Sequence, residues 1–329
     1  MKQIYLKKLI KTIVTLVILL FAVSVVTFAL ASLSPIDPIW AYVNGDTSLS
    51  AEQLEVLAEY WGLNEPPVTR YFKWLGNLLS GDFGNSLLYR SPVINIIKER
   101  FFMSITLMFV AWTLSGIMGF FMGVIAGVYK GSFIDYLIKT WCLILQSSPG
   151  FWIALLLILL FSVRLGWFPL GFAVPIGVLA EDVTIWNRIH HLVLPSFTLA
   201  LTSVSHIALH TREKMIQALE SDYAVFSISR GLSKWRFVCR HGLRNIMTPA
   251  ITLHFFNISE IFGGSILAES VFNYPGLGEA AVDAGMAGDM PLLLAITLIS
   301  ALFVFIGNQT ANLLYPLIDP RIKGGNLDV

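Results

Sequence analysis

The residues with most chemical potential in this sequence lie inside apolar runs. Glu260 sits near the middle of one, with Asn257 one helical turn earlier and His254 two turns earlier. A charge at that depth of a hydrocarbon layer costs on the order of 3 kcal/mol, so it faces a cavity or a partner. Gly263 and Gly264 follow directly and permit close helix approach or a kink. The group reads either as the polar lining of a transport path or as an interhelical hydrogen bond within a bundle. His206 and His210, spaced i,i+4, put two imidazoles on one helical face. They are weak candidates for transient metal binding, because no third ligand stands at a fitting spacing, and polar packing near the interface accounts for them better. No catalytic constellation is present. The phosphate-cradling GxxxxGK[ST] loop and the HExxH, GxSxG and paired CxxC patterns are all missing. Energy coupling must therefore come from another polypeptide or from an ion gradient.

A second group lies in the basic segment 221–249. Asp222 can cap a short helix in which Ala224, Ser227 and Gly231 recur at roughly helical spacing, giving a small face. Gly231 suits a left-handed position after that helix, and Ser233 can cap a second helix beginning at Lys234. Tyr223, Phe226 and Trp235 add apolar area to a segment expected in water, and grouped exposed apolar side chains mark interfaces. Arg240, His241 and Arg244 suit lipid headgroups or an acidic partner surface.

The elements that must position these groups are membrane spans. Of 329 residues, 56% are hydrophobic and 13% charged, and the mean hydropathy is +0.72; soluble domains carry roughly 25% charged residues. A net charge of +1 argues against a nucleic-acid surface. Cys142 and Cys239 suggest neither a disulfide frame nor a metal site. An all-α membrane protein with about six spans is expected, at 9–33, 103–129, 138–163, 192–209, 246–268 and 291–315. The first is too long for a signal peptide and lacks a cleavage site, so it reads as a retained span. Lysines and arginines crowd the amino end, the 212–245 connection and the tail, whereas the loop from Glu269 to Met290 has none. Both termini and 212–245 are therefore expected to be cytoplasmic, and 34–102 to form a large extracytoplasmic loop. Within it Ser50 and Gln53 make a capping box for a short helix ending at Gly62. The stretch 91–102 reads as an interfacial amphipathic segment. The whole chain reads as one transmembrane domain, with no room expected for a soluble domain at either end.

Several motifs, in order along almost the whole length, resemble the permease subunits of binding-protein-dependent ABC importers of the dipeptide/oligopeptide/nickel family. They are Pro35-Ile36-Asp37-Pro38, Gly81-Asp82-Phe83-Gly84-Asn85-Ser86, Phe151-Trp152 and Leu165-Gly166-Trp167-Phe168-Pro169. Asp222-Tyr223 through Gly231-Leu232, then Arg240-His241 and Leu243-Arg244-Asn245, match the family's cytoplasmic coupling loop. Glu269-Ser270-Val271-Phe272, Tyr274-Pro275-Gly276-Leu277-Gly278 and Asp319-Pro320-Arg321 complete the series. The chain departs from the pattern at Val225 and Ile228, where the family carries arginines, leaving Arg230 as the one basic residue before Gly231.

The resemblance implies a multi-pass subunit of a prokaryotic cell membrane with no cofactor of its own. It implies a second, similar permease, an extracytoplasmic solute-binding protein and two cytoplasmic ATPase subunits that use ATP and magnesium. Coupling would run through Asp222, Tyr223, Ala224, Phe226, Gly231, Leu232, Trp235, Arg240 and Arg244, and the substrate path through Glu260, Asn257, His254, Gly263 and Gly264. Membrane lipid is a further partner and nucleic acid is not. The Glu260-to-Gly264 pattern resembles the nickel-importing branch, which puts nickel or its chelate ahead of short peptides as substrate. Rival readings are an ion-gradient carrier or channel using Glu260, and a membrane metalloenzyme using the histidines.

Overall fold

A computed structural model describes residues 2–36, 39, 50–60 and 62–318. The resemblance motifs at Asp37-Pro38 and Asp319-Pro320-Arg321 lie outside the described residues. Among those described the chain is helical, with no strand and a single antiparallel bridge, Asn85–Pro92. The helices are α1 (Lys2–Ser32), α2 (Ala51–Tyr60), α3 (Pro67–Leu79), α4 (Val93–Val128), α5 (Phe133–Ser147) and α6 (Gly150–Leu157), which runs into a π-turn over Ile158–Arg164. After them come α7 (Ile185–Leu219), α8 (Asp222–Ser229), α9 (Lys234–Phe237), a π-turn over Val238–Gly242, α10 (Leu243–Phe256), α11 (Ile258–Phe272), α12 (Leu277–Ala287) and α13 (Met290–Ile318). Among the described residues four helices are long and apolar enough to cross a membrane, or up to six segments if each bent pair is one span.

Both bent pairs fall where one straight span is expected from sequence. The stretch 138–163 breaks between α5 and α6 with a 109° bend. Ser148 is extended there (φ −93°, ψ 134°), the conformation a residue is pushed into before a proline, here Pro149. The stretch 246–268 bends by 52° between α10 and α11, and Asn257 ends the first of these helices. The remaining stretches fall, to within one residue, inside longer helices: 192–209 within α7, for example, which carries on through Arg212 to Leu219. Arg212 is tolerated because both its Nε and a terminal nitrogen donate to Asp135 at 2.6 and 2.7 Å.

By packing, the chain divides into two units. The first comprises the residues up to Met103 together with Pro275–Phe305. Its centre is apolar: Val93, Ile96 and Ile97 from the start of α4 pack with Leu277, Ala280 and Ala284 of α12 and Leu292, Ala295 and Ile296 of α13. The i, i+3, i+4 spacing that gave 91–102 its amphipathic pattern thus points into this core, and the segment opens α4 instead of lying as a separate interfacial helix. Asp289 caps α13, is fully buried, and accepts from the Ser86 hydroxyl and from the Leu88 and Leu292 amides. Asp82 accepts from the Gly84 amide, and Gly84 takes φ +76°. The Gly81–Ser86 motif is therefore a tight clasp closed over the start of α13. The expected capping box is present, with Ser50 N–H donating to Gln53 and Gln53 N–H to the Ser50 hydroxyl.

The second unit comprises Ser104–Tyr274 and the residues from Ile306 onward. One seam sets α4 against α7. A Cβ at Gly119 would stand 2.8 Å from Ile207 Cβ, at Gly123 2.5 Å from the Ala208 carbonyl, and at Gly127 2.6 Å from Met215 Cβ. Glycine at this recurring position lets the two backbones meet, the usual device where lipid offers no hydrophobic drive. Glu269, expected in a polar loop, is instead fully buried in α11 and accepts from the Ser104 hydroxyl at 2.7 Å.

Candidate functional site: a polar cluster on the helices and a docking knob

Two of the polar groups noted separately in the sequence meet in the second unit. His206 Nε2 on α7 stands 3.8 Å from Glu260 Oε1 on α11, and Gln146 of α5 contacts the same imidazole nitrogen at 3.4 Å. Both side chains are about half open, 46% for His206 and 49% for Glu260. An exposed carboxylate on a largely apolar helix is costly against hydrocarbon, so this face has to meet water or another polar surface.

The other predicted residues divide. Gly264 provides a close approach, since a Cβ there would lie 2.9 Å from Leu199 of α7, whereas Gly263 has open space around it. His254 does not join Glu260. Its ring stacks on Trp112 with centroids 4.1 Å apart, and its carbonyl accepts from the Trp112 indole. A Cβ on Gly116 would come within 2.5 Å of that imidazole, so glycine makes room for the stack. His254 and Trp112 also line an apolar cleft of about 280 Å³ together with Phe120, Ile207, Met247 and Ile251. Asn257 is half-buried at the α10–α11 break, where its amide nitrogen has no partner among the described residues. Among the described residues no group of three or more His, Cys, Asp or Glu side chains could hold a metal ion, so His206 and His210 gain no third ligand there.

The 221–249 segment folds as a knob on the ends of α4 and α7. Gly231 takes φ +90° after α8, and the Ser233 hydroxyl caps α9 by accepting from Arg236 N–H. The first cap differs from expectation. Ser221 occupies the N-cap position, its hydroxyl donating to the Ala218 carbonyl, and Asp222 is the first helical residue, where its charge favours the helix dipole. Of the small face, Ala224 is fully buried and Ser227 half-buried, while Gly231 is exposed. What α8 presents outward is apolar, with Tyr223, Val225, Phe226 and Ile228 all exposed. Arg230 lies over the Phe226 ring at 5.4 Å. Arg240 and Arg244 are exposed, and Leu232 is half-buried. The knob is held by Lys234, whose ammonium donates to the terminal Val128 carbonyl of α4, and by Trp235, whose indole donates to the Tyr129 hydroxyl at 3.1 Å. Phe237 and Val238 are buried beneath it.

Comparison with known proteins gives this arrangement a family. Residues 119–324 match the family described as binding-protein-dependent transport system inner membrane component, and residues 5–108 match the N-terminal family of the same components. This chain is an inner-membrane permease of that family. The permease is 36% identical to the oligopeptide transport system permease protein AppB of Bacillus subtilis over 92% of this chain and 94% of that one. It is 33% identical to the di/tripeptide transport system permease protein DppB of Pseudomonas aeruginosa, over 92% and 94% of the two chains. Its fold is similar to a chain of the MetNI methionine ABC transporter, solved in inward-facing conformations, with a TM-score of 0.54 at 14% identity, covering 68% of this chain and 97% of that one. The permease is thus the multi-pass inner-membrane component of an ABC importer. Nickel, placed first from the sequence, has less support than short peptides, because the relatives are named for peptide transport.

Sequence reasoning missed the Gly116–Gly127 seam, the Asp135–Arg212 pair and the Gln146 contact. The glycines were visible as small residues at three- and four-residue spacing in an apolar run. The other two join residues about 60 to 77 positions apart, which no local pattern encodes.

Proposed function

We propose that this permease carries short peptides, with Glu260 and His206 on the substrate path and the 221–249 knob as the seat of a separate ATPase. The observation that carries the substrate is the likeness, over nine-tenths of the chain, to permeases named for oligopeptides and for di- and tripeptides. The chemistry agrees. A half-exposed carboxylate beside an imidazole suits a peptide's ammonium group. Within this reading a solute-binding protein delivers the peptide from outside, and a second permease completes the path. Two ATPase subunits, using ATP and magnesium, grip the exposed apolar side chains of α8. Both chain ends and the knob then lie in the cytoplasm.

The test is uptake of radiolabelled trialanine and of radioactive nickel by cells with and without the chain. Peptide uptake is expected to fall to background on deletion and to drop markedly in Glu260→Gln, while nickel uptake stays unchanged. Nickel uptake that requires the chain and Glu260, with peptide uptake indifferent to both, would overturn the reading.

A further inference from the structure

The first unit contains a cavity of about 500 Å³ that the path and the knob do not use. Phe28, Glu59, Arg70, Trp74, Asp82 and Pro291 are on its walls. Its size falls in the range of roughly 300–1,000 Å³ that accepts small organic ligands. The charges on the wall are unequally matched. Lys73 pairs with Glu65, which leaves Arg70, half-buried on α3, with weak partners. One terminal nitrogen reaches the Leu63 carbonyl only at 3.5 Å and the other meets the Met290 sulfur at 3.3 Å. The Phe28 ring lies 5.8 Å beneath the guanidinium. Among the described residues no carboxylate forms an ion pair with Arg70 within 4.0 Å. Burial pulls its pKa below the ordinary arginine value, and the Glu65 charge only partly opposes this. A bound anion would relieve that cost.

Guanidinium donors form a planar fork that fits a carboxylate through two parallel hydrogen bonds. On the same walls Glu59 is exposed, and one Asp82 oxygen accepts from the Gly84 amide while the other takes no hydrogen bond among the described residues. The cavity therefore offers a weakly partnered cation together with carboxylate oxygens, complementary to a zwitterion. We infer that it is a peptide subsite in which Arg70 holds the free α-carboxylate, formed wholly within the first unit. The inference rests on the peptide-import reading and adds to it a requirement for an unblocked carboxyl end.

The experiment uses the assembled transporter, purified through a tag on this chain and placed in nanodiscs of zwitterionic lipid. Arginines are modified with phenylglyoxal, and the extent at Arg70 is read by peptide mass spectrometry. Saturating trialanine should slow modification of Arg70 about fivefold or more, and trialanine amide should not. In uptake assays Arg70→Lys should raise the half-saturating trialanine concentration about tenfold with the maximal rate retained, because the charge remains and the fork is lost. Equal protection by acid and amide, or no protection while trialanine is still imported, would overturn the subsite. So would protection by phosphatidylglycerol alone, which would make the cavity a lipid headgroup site. Failure of the peptide-import reading shows separately, as absence of trialanine uptake by the wild-type assembly, and removes this inference with it.

Discussion

Replacing Phe226 with serine separates docking from folding. The ring is 61% exposed on α8, so the permease itself loses little when it is removed. A phenylalanine side chain offers roughly 200 Å², and the open share of it comes to about 120 Å². Covering that area on a partner is worth about 3 kcal/mol at 25 cal/mol per Å², which is on the order of a hundredfold in affinity. The assay is retention of the ATPase subunits on membranes solubilised through a tag on this chain, titrated by dilution, with ATP-driven uptake measured in parallel. Phe226→Ser should still insert and melt like wild type, yet release the ATPase at about a hundredfold higher concentration. Raising salt from about 0.1 to 0.5 M should weaken retention of wild type and of Phe226→Ser by the same factor, because the exposed Arg240 and Arg244 are common to both. Ala224→Phe is the contrasting variant. Ala224 is buried inside the knob, so bulk there should distort the knob and lower the melting temperature as well. Unchanged retention and uptake in Phe226→Ser would refute the docking argument.

Two further outcomes follow from the packing. Gly123→Leu should reduce accumulation in the membrane and lower the melting temperature, since even a Cβ would stand 2.5 Å from the Ala208 carbonyl and 2.6 Å from Thr211 Cβ, and overpacking costs roughly 1–3 kcal/mol; Gly263→Ala, with open space around it, should change neither. Tyr89 donates to Asp283 at 3.1 Å, and burial, together with the carboxylates around it, pushes its pKa from 10 up to about 12. Between those values the unfolded chain gives up a proton that the folded clasp keeps, so stability falls as pH rises from 10 to about 12. The melting temperature should fall through that interval in wild type, and in Tyr89→Phe it should fall less steeply.

Local rules made much of the knob legible. Gly231 and Ser233 carry conformational and capping preferences of their own, and the structure uses both; the Ser50–Gln53 box is legible for the same reason. The first cap shifted by one residue because Ser221 and Asp222 are both good cap formers, and nothing local chooses between them. The α5–α6 break could be traced to Pro149, but Asn257 gave no such signal, since asparagine in an apolar run reads equally as lining or as a helix end. Helix α12 escaped notice because its alanines and glycines lack a bulky apolar stripe. The meeting of His206 with Glu260, and of Asp135 with Arg212, depends on how α5, α7 and α11 pack, which composition and periodicity do not specify. Ala224 shows the reverse failure. A small residue at the right spacing suggested an open face, and packing made it core.

The central claim is that this permease moves peptides only when a separate ATPase drives it. The most direct measurement is trialanine uptake into proteoliposomes containing the assembled transporter and its binding protein, with ATP on the ATPase side and with proton and sodium gradients collapsed by ionophores. Uptake should persist without any ion gradient, stop when ATP is omitted, and fall sharply in Phe226→Ser. Accumulation that needs the gradient and continues without ATP would contradict the account.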